Sequence, residues 1–258
     1  MGLRIVDNVV IVDHDVNEHL QTTAIGNPSI DWIDDLQVYA IFQRKFHSAK
    51  ASRDRQARIL GDNCPLIYAL KGKDGLTVEF RSIKSLNDSI PTIINAVVDD
   101  LGESFDAVVP MPSSSPLSAI LAKRLARASG RPLLGGMFSK STNGVAMASV
   151  AGVLAENSRA FPKEDAVHVR NALKFLRSIE DEPYAAKNIK TQIRKYFLPL
   201  AINAIPPQLD AGTRLLLVDD LLATGETLRA AQSLLINSGI VGQHVAATWF
   251  SRVGKPNR

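Results

Sequence analysis

Short apolar runs alternate with helical spacings in the second half of this chain. Residues 105–110 (FDAVVP) form an apolar run that predicts a buried strand, and residues 117–128 follow with the spacing of a helix. Residues 215–218 predict a second buried strand, residues 228–237 a second helix, and residues 244–250 a last strand. Alternating strands and helices predict an α/β fold in which helices flank a mainly parallel, twisted sheet.

The first hundred residues have a less regular pattern. Residues 3–12 alternate loosely between apolar and polar side chains and predict one or two strands. Asn27 and Pro28 have the form of a helix N-cap followed by the first helical residue, which predicts that a helix starts there. The apolar stripe of that predicted helix consists of Ile33, Leu36, Tyr39, Ala40 and Ile41.

The segment that follows combines two predicted strands with a helix. Residues 64–70 and 77–83 are apolar enough for strands, and residues 71–75 between them are rich in Gly and Lys, as expected for a turn. Residues 86–101 have the spacing of a helix.

Residues 135–207 interrupt the alternation of strands and helices. A tract rich in Gly, Ser, Thr and Asn (residues 135–152) comes first, and residues 164–177 and 184–197 then predict two helices. So long an interruption predicts either a functional lid or an added helical element.

Composition and charge narrow the classes of protein. The apolar fraction of 45% among 258 residues supports a sizeable core. The net charge of +4 is too small to indicate nucleic acid as a partner, although it suits an acidic small substrate. The single cysteine, Cys64, rules out an intrachain disulfide and favours a reducing compartment. The N-terminal residues form neither a signal peptide nor a membrane span, so we expect a cytoplasmic protein with no membrane partner.

Two adjacent carboxylates, Asp219 and Asp220, end a predicted buried strand. Because ligands of parallel sheets bind beyond the carboxyl ends of the strands, this pair is placed to accept hydrogen bonds from a vicinal diol such as that of ribose. Thr224, Gly225 and Thr227 follow, and they supply hydroxyl donors, close backbone approach and a helix N-terminus, which together suit a phosphate. The two features together match ribose 5-phosphate in size.

The segment VDDLLATGET (residues 218–227) resembles the motif that binds phosphoribosyl pyrophosphate (PRPP) in the type I phosphoribosyltransferases. In that family a hydrophobic strand precedes two acidic residues, a short spacer, Thr-Gly, any residue, and Thr or Ser. The resemblance implies that Asp219 and Asp220 are the catalytic residues and that they bind the ribose hydroxyls. It also implies that the 5-phosphate is bound by Ala223, Thr224, Gly225, Glu226 and Thr227.

The segment FDAVVPMPSSSP (residues 105–116) resembles the loop after the first core strand in the branch of this family similar to the competence protein ComF. The resemblance implies that Ser113, Ser114 and Ser115 bind the pyrophosphate of PRPP. By its position in the chain, Lys140 would supply a cation from a lid that closes over this pyrophosphate.

The same resemblance implies the cofactor and the division of the chain. Mg²⁺ would be held near Asp219 and Asp220 through PRPP and water, without direct protein ligands. Residues 1–100 would form the hood that holds the acceptor. Residues 101–258 would form the core, with a lid or helical insertion at about 135–207.

The expected function is therefore a phosphoribosyltransferase that uses PRPP and Mg²⁺, releases pyrophosphate, and transfers phosphoribose to an unidentified nitrogenous acceptor. Members of this family often form homodimers, so a homodimer is a further expectation. The alternative is a module that senses PRPP or a nucleotide without turnover and acts on a nucleic acid or protein partner. A third, weaker hypothesis is a toxin or defence effector that consumes a nucleotide pool.

Overall fold

A computed structural model of the protein describes residues 2–45, 64–156 and 161–253, and these residues form a mixed α/β structure. The strands of this part of the chain are, in chain order, β1 (Gly2–Val6), β2 (Val9–Asp13), β3 (Ser29–Ile33), β4 (Leu36–Phe42), β5 (Thr77–Val78), β6 (Ala107–Pro110), β7 (Phe138–Lys140), β8 (Leu200–Ile202), β9 (Leu215–Leu221) and β10 (Val245–Phe250). The α-helices are α1 (Pro65–Leu70), α2 (Phe80–Leu101), α3 (Leu117–Ser129), α4 (Asn143–Glu156), α5 (Lys163–Arg177) and α6 (Glu226–Asn237).

The central sheet has five strands in the order β3-β4-β10-β9-β6. Strands β4, β10, β9 and β6 are parallel, and β3 pairs with β4 in the antiparallel sense at one edge. Alternate residues of β9 face opposite sides of the sheet. Leu216 and Val218 pack with α2 and α3, whereas Leu215 and Leu217 pack with α6. The helices on both faces explain why these strands are apolar along their whole length.

The strand–helix units predicted in the second half of the chain are confirmed. Strand β6 and helix α3 cover residues 105–110 and 117–128 within a few residues, and β9, α6 and β10 cover the later units. Helix α3 ends at Gly130, which adopts a left-handed conformation with φ of 67°. A glycine is favoured at this position because it has no Cβ to oppose positive φ.

The helix predicted after Asn27 and Pro28 is wrong, because this segment forms the hairpin β3–β4. The Asn27–Pro28 peptide bond is cis, and Pro28 precedes a strand rather than a helix. All the residues from Val38 to Phe42 are buried, since β4 lies between two strands and is covered on both faces. A fully buried strand has no polar side to alternate with, and its apolar residues therefore also satisfied a helical stripe.

The two strands predicted at residues 64–70 and 77–83 are mostly wrong. The first segment is helix α1, and Pro65 occupies its first turn, where the missing proline N–H costs nothing. In the second, only β5 is a strand, and α2 begins at Phe80. The helix predicted at residues 86–101 is confirmed as the greater part of α2.

Residues 135–202 combine a small sheet with helices outside the central sheet. Strand β7 pairs with β8 in the antiparallel sense, and α4 and α5 lie between them in sequence. The helix predicted at residues 164–177 is confirmed as α5. Within the tract rich in Gly, Ser, Thr and Asn, residues 138–152 contribute β7 and most of α4.

The helix predicted at residues 184–197 is wrong. This segment contains two separate 3₁₀ turns, Ala186–Asn188 and Thr191–Tyr196. Ile189 and Lys190 between the turns have extended backbone, so no helix can continue through them. Ile189 instead enters the small apolar core that α4 and α5 share.

The first hundred residues contribute to two sheets. The one or two strands predicted within residues 3–12 are the two strands β1 and β2, which pair in the antiparallel sense, and β5 extends them into a three-stranded sheet. Strands β3 and β4 belong to the central sheet, so this sheet crosses the boundary expected near residue 100. The division into a hood and a core stays a prediction.

None of the helices in the part of the chain that the structure describes has the combination of length and apolar character needed to cross a membrane. The cytoplasmic location and the homodimer remain predictions.

Candidate functional site

The acidic pair lies at the carboxyl end of β9, between β10 and β6 in the central sheet. Asp219 is level with Thr248 of β10, and Val218 is level with Pro110, the last residue of β6. The loops that follow β6, β9 and β10 therefore leave the sheet at the same end, the carboxyl end of its parallel strands. Ligands of open parallel sheets bind at this end.

Asp220 is buried, and one of its carboxylate oxygens is held by two donors. Lys71 Nζ lies 2.7 Å from Asp220 Oδ2, and Ser113 Oγ donates a hydrogen bond to the same oxygen at 3.0 Å. Lys71 comes from the end of α1 and Ser113 from the loop after β6. The structure thus joins three distant segments of the chain at one atom.

Asp219 is half-buried and carries the most perturbed carboxyl of the site. Desolvation and the neighbouring charge of Asp220 raise the pKa of the Asp219 carboxyl to about 7. The hydrogen bond from the Asp220 N–H, at 2.8 Å from Asp219 Oδ1, and the positive charges of Lys71 and Lys140 lower this pKa. The burial and repulsion outweigh them, so the pair would gain from a further positive charge.

Each carboxylate of the pair keeps an oxygen without a hydrogen-bond partner among the residues that the structure describes. Asp219 uses Oδ1 for the Asp220 N–H, and Asp220 uses Oδ2 for Ser113 and Lys71. Asp219 Oδ2 and Asp220 Oδ1 are left. The carboxyl end of β9 therefore keeps one such acceptor on each of two adjacent residues.

The turn between β9 and α6 contains the residues predicted to bind a phosphate. Its side chains become less exposed toward the helix: Ala223 and Thr224 are exposed, whereas Glu226 and Thr227 are half-buried. Neither threonine hydroxyl has a hydrogen-bond partner among the described residues. The first N–H groups of α6 have no acceptor within the helix, so they and the hydroxyls are available to an anion.

Gly225 determines the path of this turn. It has φ of 79°, immediately before the first residue of α6. A Cβ atom built on it would lie 2.3 Å from Ile33 Cδ1, in the hairpin β3–β4. Both its backbone conformation and its packing therefore require a residue without a side chain.

The serine loop (residues 113–115) connects β6 to α3. Ser113 Oγ accepts a hydrogen bond from the Ser115 N–H at 3.3 Å, and Ser115 Oγ accepts one from the Leu117 N–H at 3.2 Å. Ser114 is exposed at the tip of the loop. The loop is therefore shaped by its own hydroxyls, and through Ser113 it is attached to the acidic pair.

Lys140 lies at the end of β7 with an exposed side chain. It is close enough for its charge to lower the pKa of Asp219, but it makes no ion pair with either aspartate. The structure thus brings the charge of Lys140 toward the acidic pair, and its role toward a pyrophosphate stays a prediction.

Lys71 is the residue of this site that sequence reasoning missed, since residues 71–75 were predicted as a turn only. The turn is present, but Lys71 also ends α1 and reaches Asp220. Pro65 is a signal for the start of a short helix and could have placed Lys71 at a helix end. Its ion pair with Asp220, about 150 residues away in sequence, has no local signal in the sequence.

Cys64, which precedes α1, is buried near the same cluster. Burial raises the pKa of its thiol to about 11, although the charges of Arg44 and Lys71 act in the opposite direction. The thiol therefore stays protonated at neutral pH and acts as a small apolar side chain.

No group of three or more His, Cys, Asp or Glu side chains comes together as a metal site in residues 2–45, 64–156 and 161–253. The expected Mg²⁺ near Asp219 and Asp220 stays a prediction.

Comparisons with known proteins give little further information. No protein-family model matches the chain, and no curated protein matches it. Among solved structures, the chain is similar to the crystal structure of TT1426 from Thermus thermophilus, at 16% sequence identity and a TM-score of 0.30. The match covers 65% of this chain and 83% of that one. So low a TM-score supports no argument about function.

Proposed function

We propose that this protein binds PRPP and Mg²⁺ and transfers phosphoribose to a nitrogenous acceptor with release of pyrophosphate. The observation that carries this proposal is the hydrogen bond from Ser113 Oγ to Asp220 Oδ2, at 3.0 Å. It joins the serine loop to the acidic pair, so the two segments whose sequences resemble PRPP-binding motifs lie at one site.

The parts of PRPP correspond to separate groups of the site. The ribose diol would donate to Asp219 Oδ2 and Asp220 Oδ1, the oxygens without other partners. The 5-phosphate would lie against the turn around Gly225, where α6 begins. The diphosphate would lie against the serine loop, on the other side of the acidic pair.

Transfer of phosphoribose would depend on the positioning of the substrates and on charge, without a covalent intermediate on the protein. Bound Mg²⁺ would neutralise the charge of the diphosphate and so make it a better leaving group. Asp219 and Asp220 would fix the ribose by its hydroxyls, and their negative charge would stabilise the cationic ring as the bond to the diphosphate breaks. The proton held by the Asp219 carboxyl would be lost on binding, since a diol and a cation both favour the ionised form.

Calorimetric titration of PRPP with Mg²⁺ tests the binding part of this proposal. We expect the Asp219→Asn/Asp220→Asn protein to lose PRPP binding altogether, because both diol acceptors lose their charge. The matched control is Asp34→Asn/Asp35→Asn, which changes two adjacent aspartates of the β3–β4 turn. Undiminished PRPP affinity in the first variant would refute the proposal.

Release of pyrophosphate tests the transfer. Radiolabelled PRPP would be incubated with the protein and a panel of nitrogenous bases, and an enzyme would release pyrophosphate with the correct acceptor. The double aspartate variant should release none.

The regulatory alternative is favoured by the ordered helix α4. In a transferase of this type a flexible loop would close over the diphosphate, but residues 138–152 form β7 and most of α4, and Ala146 and Val150 are buried. A sensor needs no such closure. It predicts PRPP-dependent binding to a nucleic acid or protein without any release of pyrophosphate, which the same radiolabelled assay distinguishes.

A further inference from the structure

Lys71 brings a positive charge from the first hundred residues to the acidic pair, and the proposed function gives it no role so far. Its Nζ lies 2.7 Å from Asp220 Oδ2, the oxygen that also accepts the Ser113 hydroxyl at 3.0 Å. Because both donors share one acceptor atom, the ammonium group must lie beside the start of the serine loop. That loop is where the diphosphate is proposed to bind.

The backbone that carries Lys71 is held in place. Leu66 and Ile67 of α1 are buried in the main core, and the Lys71 N–H donates to the Ile67 carbonyl at 3.0 Å. The Lys73 N–H donates back to the Tyr68 carbonyl at 2.9 Å, which closes the turn after the helix. Any response of Lys71 to a ligand is therefore made by its side chain, whose four-carbon stem allows the ammonium to move.

The ammonium of Lys71 has capacity for a second partner. It carries three N–H donors, and Asp220 is its ion-pair partner among the residues that the structure describes. The side chain is only 18% exposed, so water screens its charge weakly. The Ser113 hydroxyl already donates to Asp220, so an anion that enters beside Lys71 would be bound by the remaining N–H donors of this ammonium.

A diphosphate needs such a cation at this position. The serine loop supplies hydroxyl and N–H donors but no charge, and Asp219 and Asp220 would repel the phosphate oxygens. Lys140, the cation predicted for this purpose, lies at the end of β7 with an exposed side chain. Lys71 Nζ and Ser113 Oγ contact the same oxygen of Asp220, so Lys71 lies beside both the carboxylate and the loop and can reduce that repulsion.

We propose that Lys71 binds the diphosphate oxygens of the ligand while it remains next to Asp220, and that it determines the preference of the site for a ribose carrying a diphosphate over ribose 5-phosphate. The identity of the ligand rests on the proposed function. The role of Lys71 as a diphosphate-binding residue rests on the geometry of Lys71, Ser113 and Asp220.

Three probes separate this role from a purely structural one. PRPP, ribose 5-phosphate and inorganic pyrophosphate would each be titrated with Mg²⁺ into the wild-type protein and Lys71→Met. A lost charge-assisted contact predicts that affinity for PRPP and pyrophosphate falls about tenfold or more, while affinity for ribose 5-phosphate stays within about twofold. Lys71→Arg should restore most of the loss, because it restores the positive charge.

Lys73→Met is the matched control, since Lys73 is exposed in the same turn and makes no ion pair among the described residues. It should leave all three affinities unchanged. Lys71→Gln, which keeps a donor for Asp220 without the charge, gives the same comparison if Lys71→Met does not fold.

Two results would overturn the inference: equal losses for all three probes, which mean that Lys71 only orients Asp220, or an unchanged affinity for pyrophosphate and PRPP. A wild-type protein that binds pyrophosphate in a Lys71-dependent way but does not bind PRPP would refute the proposed function alone. A wild-type protein that binds none of the three would refute both.

Discussion

Two segments that lie far apart in the sequence meet at Asp220. The acidic turn (residues 219–227) continues β9 into α6, so residues that are close in sequence also form one half of the site. The α1 segment (residues 64–71) reaches the same aspartate only through tertiary packing, by way of Lys71. The comparison shows that a site of this kind has a half that the local sequence specifies and a half that the fold supplies.

The largest effect is expected from Gly225→Ala, which forces a side chain into the local half. The left-handed backbone and the contact of the new Cβ with Ile33 together should lower the free energy of unfolding by about 2–4 kcal/mol. Chemical denaturation measures this loss. Because the turn would also shift, the variant should bind the 5-phosphate more weakly, which titration with ribose 5-phosphate can check.

Gly239→Ala separates the cost of the left-handed backbone from the cost of the contact with Ile33. Gly239 has φ of 86°, but a Cβ there would meet nothing within 4 Å, so only the backbone term of about 1–2 kcal/mol applies. Adding Ile33→Ala to Gly225→Ala should recover the remainder, apart from the cost of Ile33→Ala alone. If the two glycine variants lose equal stability, the contact with Ile33 does not matter.

The next largest effect should come from Asp220→Asn, which breaks the link between the two halves. The substitution leaves Lys71 partly buried without its counterion, and we expect a loss of about 1–3 kcal/mol in the free energy of unfolding. Thermal and chemical denaturation at neutral pH would measure it. No loss of stability would mean that the α1 segment contributes nothing through this ion pair.

Asp219→Asn should raise the free energy of unfolding instead of lowering it. The pKa of Asp219 is raised on folding, so the folded state holds a proton that the unfolded state releases near pH 4. The contribution of the Asp219 carboxyl to the free energy of unfolding therefore falls as pH rises from about 4 to about 7, and it stays level at higher pH. Removing the charge should stabilise the ligand-free protein by about 1–2 kcal/mol at pH 8, less than the full shift because water partly screens a half-buried carboxylate.

The pH profile distinguishes this explanation from a general effect of the substitution. The gain from Asp219→Asn should shrink toward zero near pH 4, where the wild-type carboxyl is protonated in both states. A gain that is constant between pH 4 and pH 8 would contradict the raised pKa. If PRPP binds the ionised form of Asp219, as the proposed function requires, it should bind the wild-type protein more tightly at pH 8 than at pH 6.

The same division explains which elements the sequence could predict. In β9 and α6 the apolar run, the acidic pair and the glycine follow one another, so spacing alone located the strand, the turn and the helix. In β4 the buried run around Tyr39 and Ile41 fits a strand and a helical stripe equally well, and only its place between two other strands decides between them. A short run of buried apolar residues shows neither the alternation of a half-exposed strand nor the spacing of an amphipathic helix.

The candidate site shows the same limit. Asp219, Asp220 and Ser113 could be selected because they lie at recognisable strands in segments that resemble known motifs, and the structure brings them together. Lys71 could not, since its ion pair with Asp220 depends on how α1 packs rather than on the residues next to it. Lys140 was selected by its position in the chain, and its role stays a prediction.

The smallest effect should come from Arg229→Gln, which breaks an ion pair between α6 and the β3–β4 turn. Arg229 Nε lies 2.7 Å from Asp34 Oδ2 in the β3–β4 turn, a geometry as short as that of the Lys71 pair. Both side chains are exposed, at 40% and 68%, so solvent screens the pair and the expected loss is below about 0.5 kcal/mol. Denaturation at low salt and at about 1 M salt measures it, and the difference should vanish at high salt. A loss as large as that of Asp220→Asn would mean that burial is not what gives the Lys71–Asp220 pair its importance.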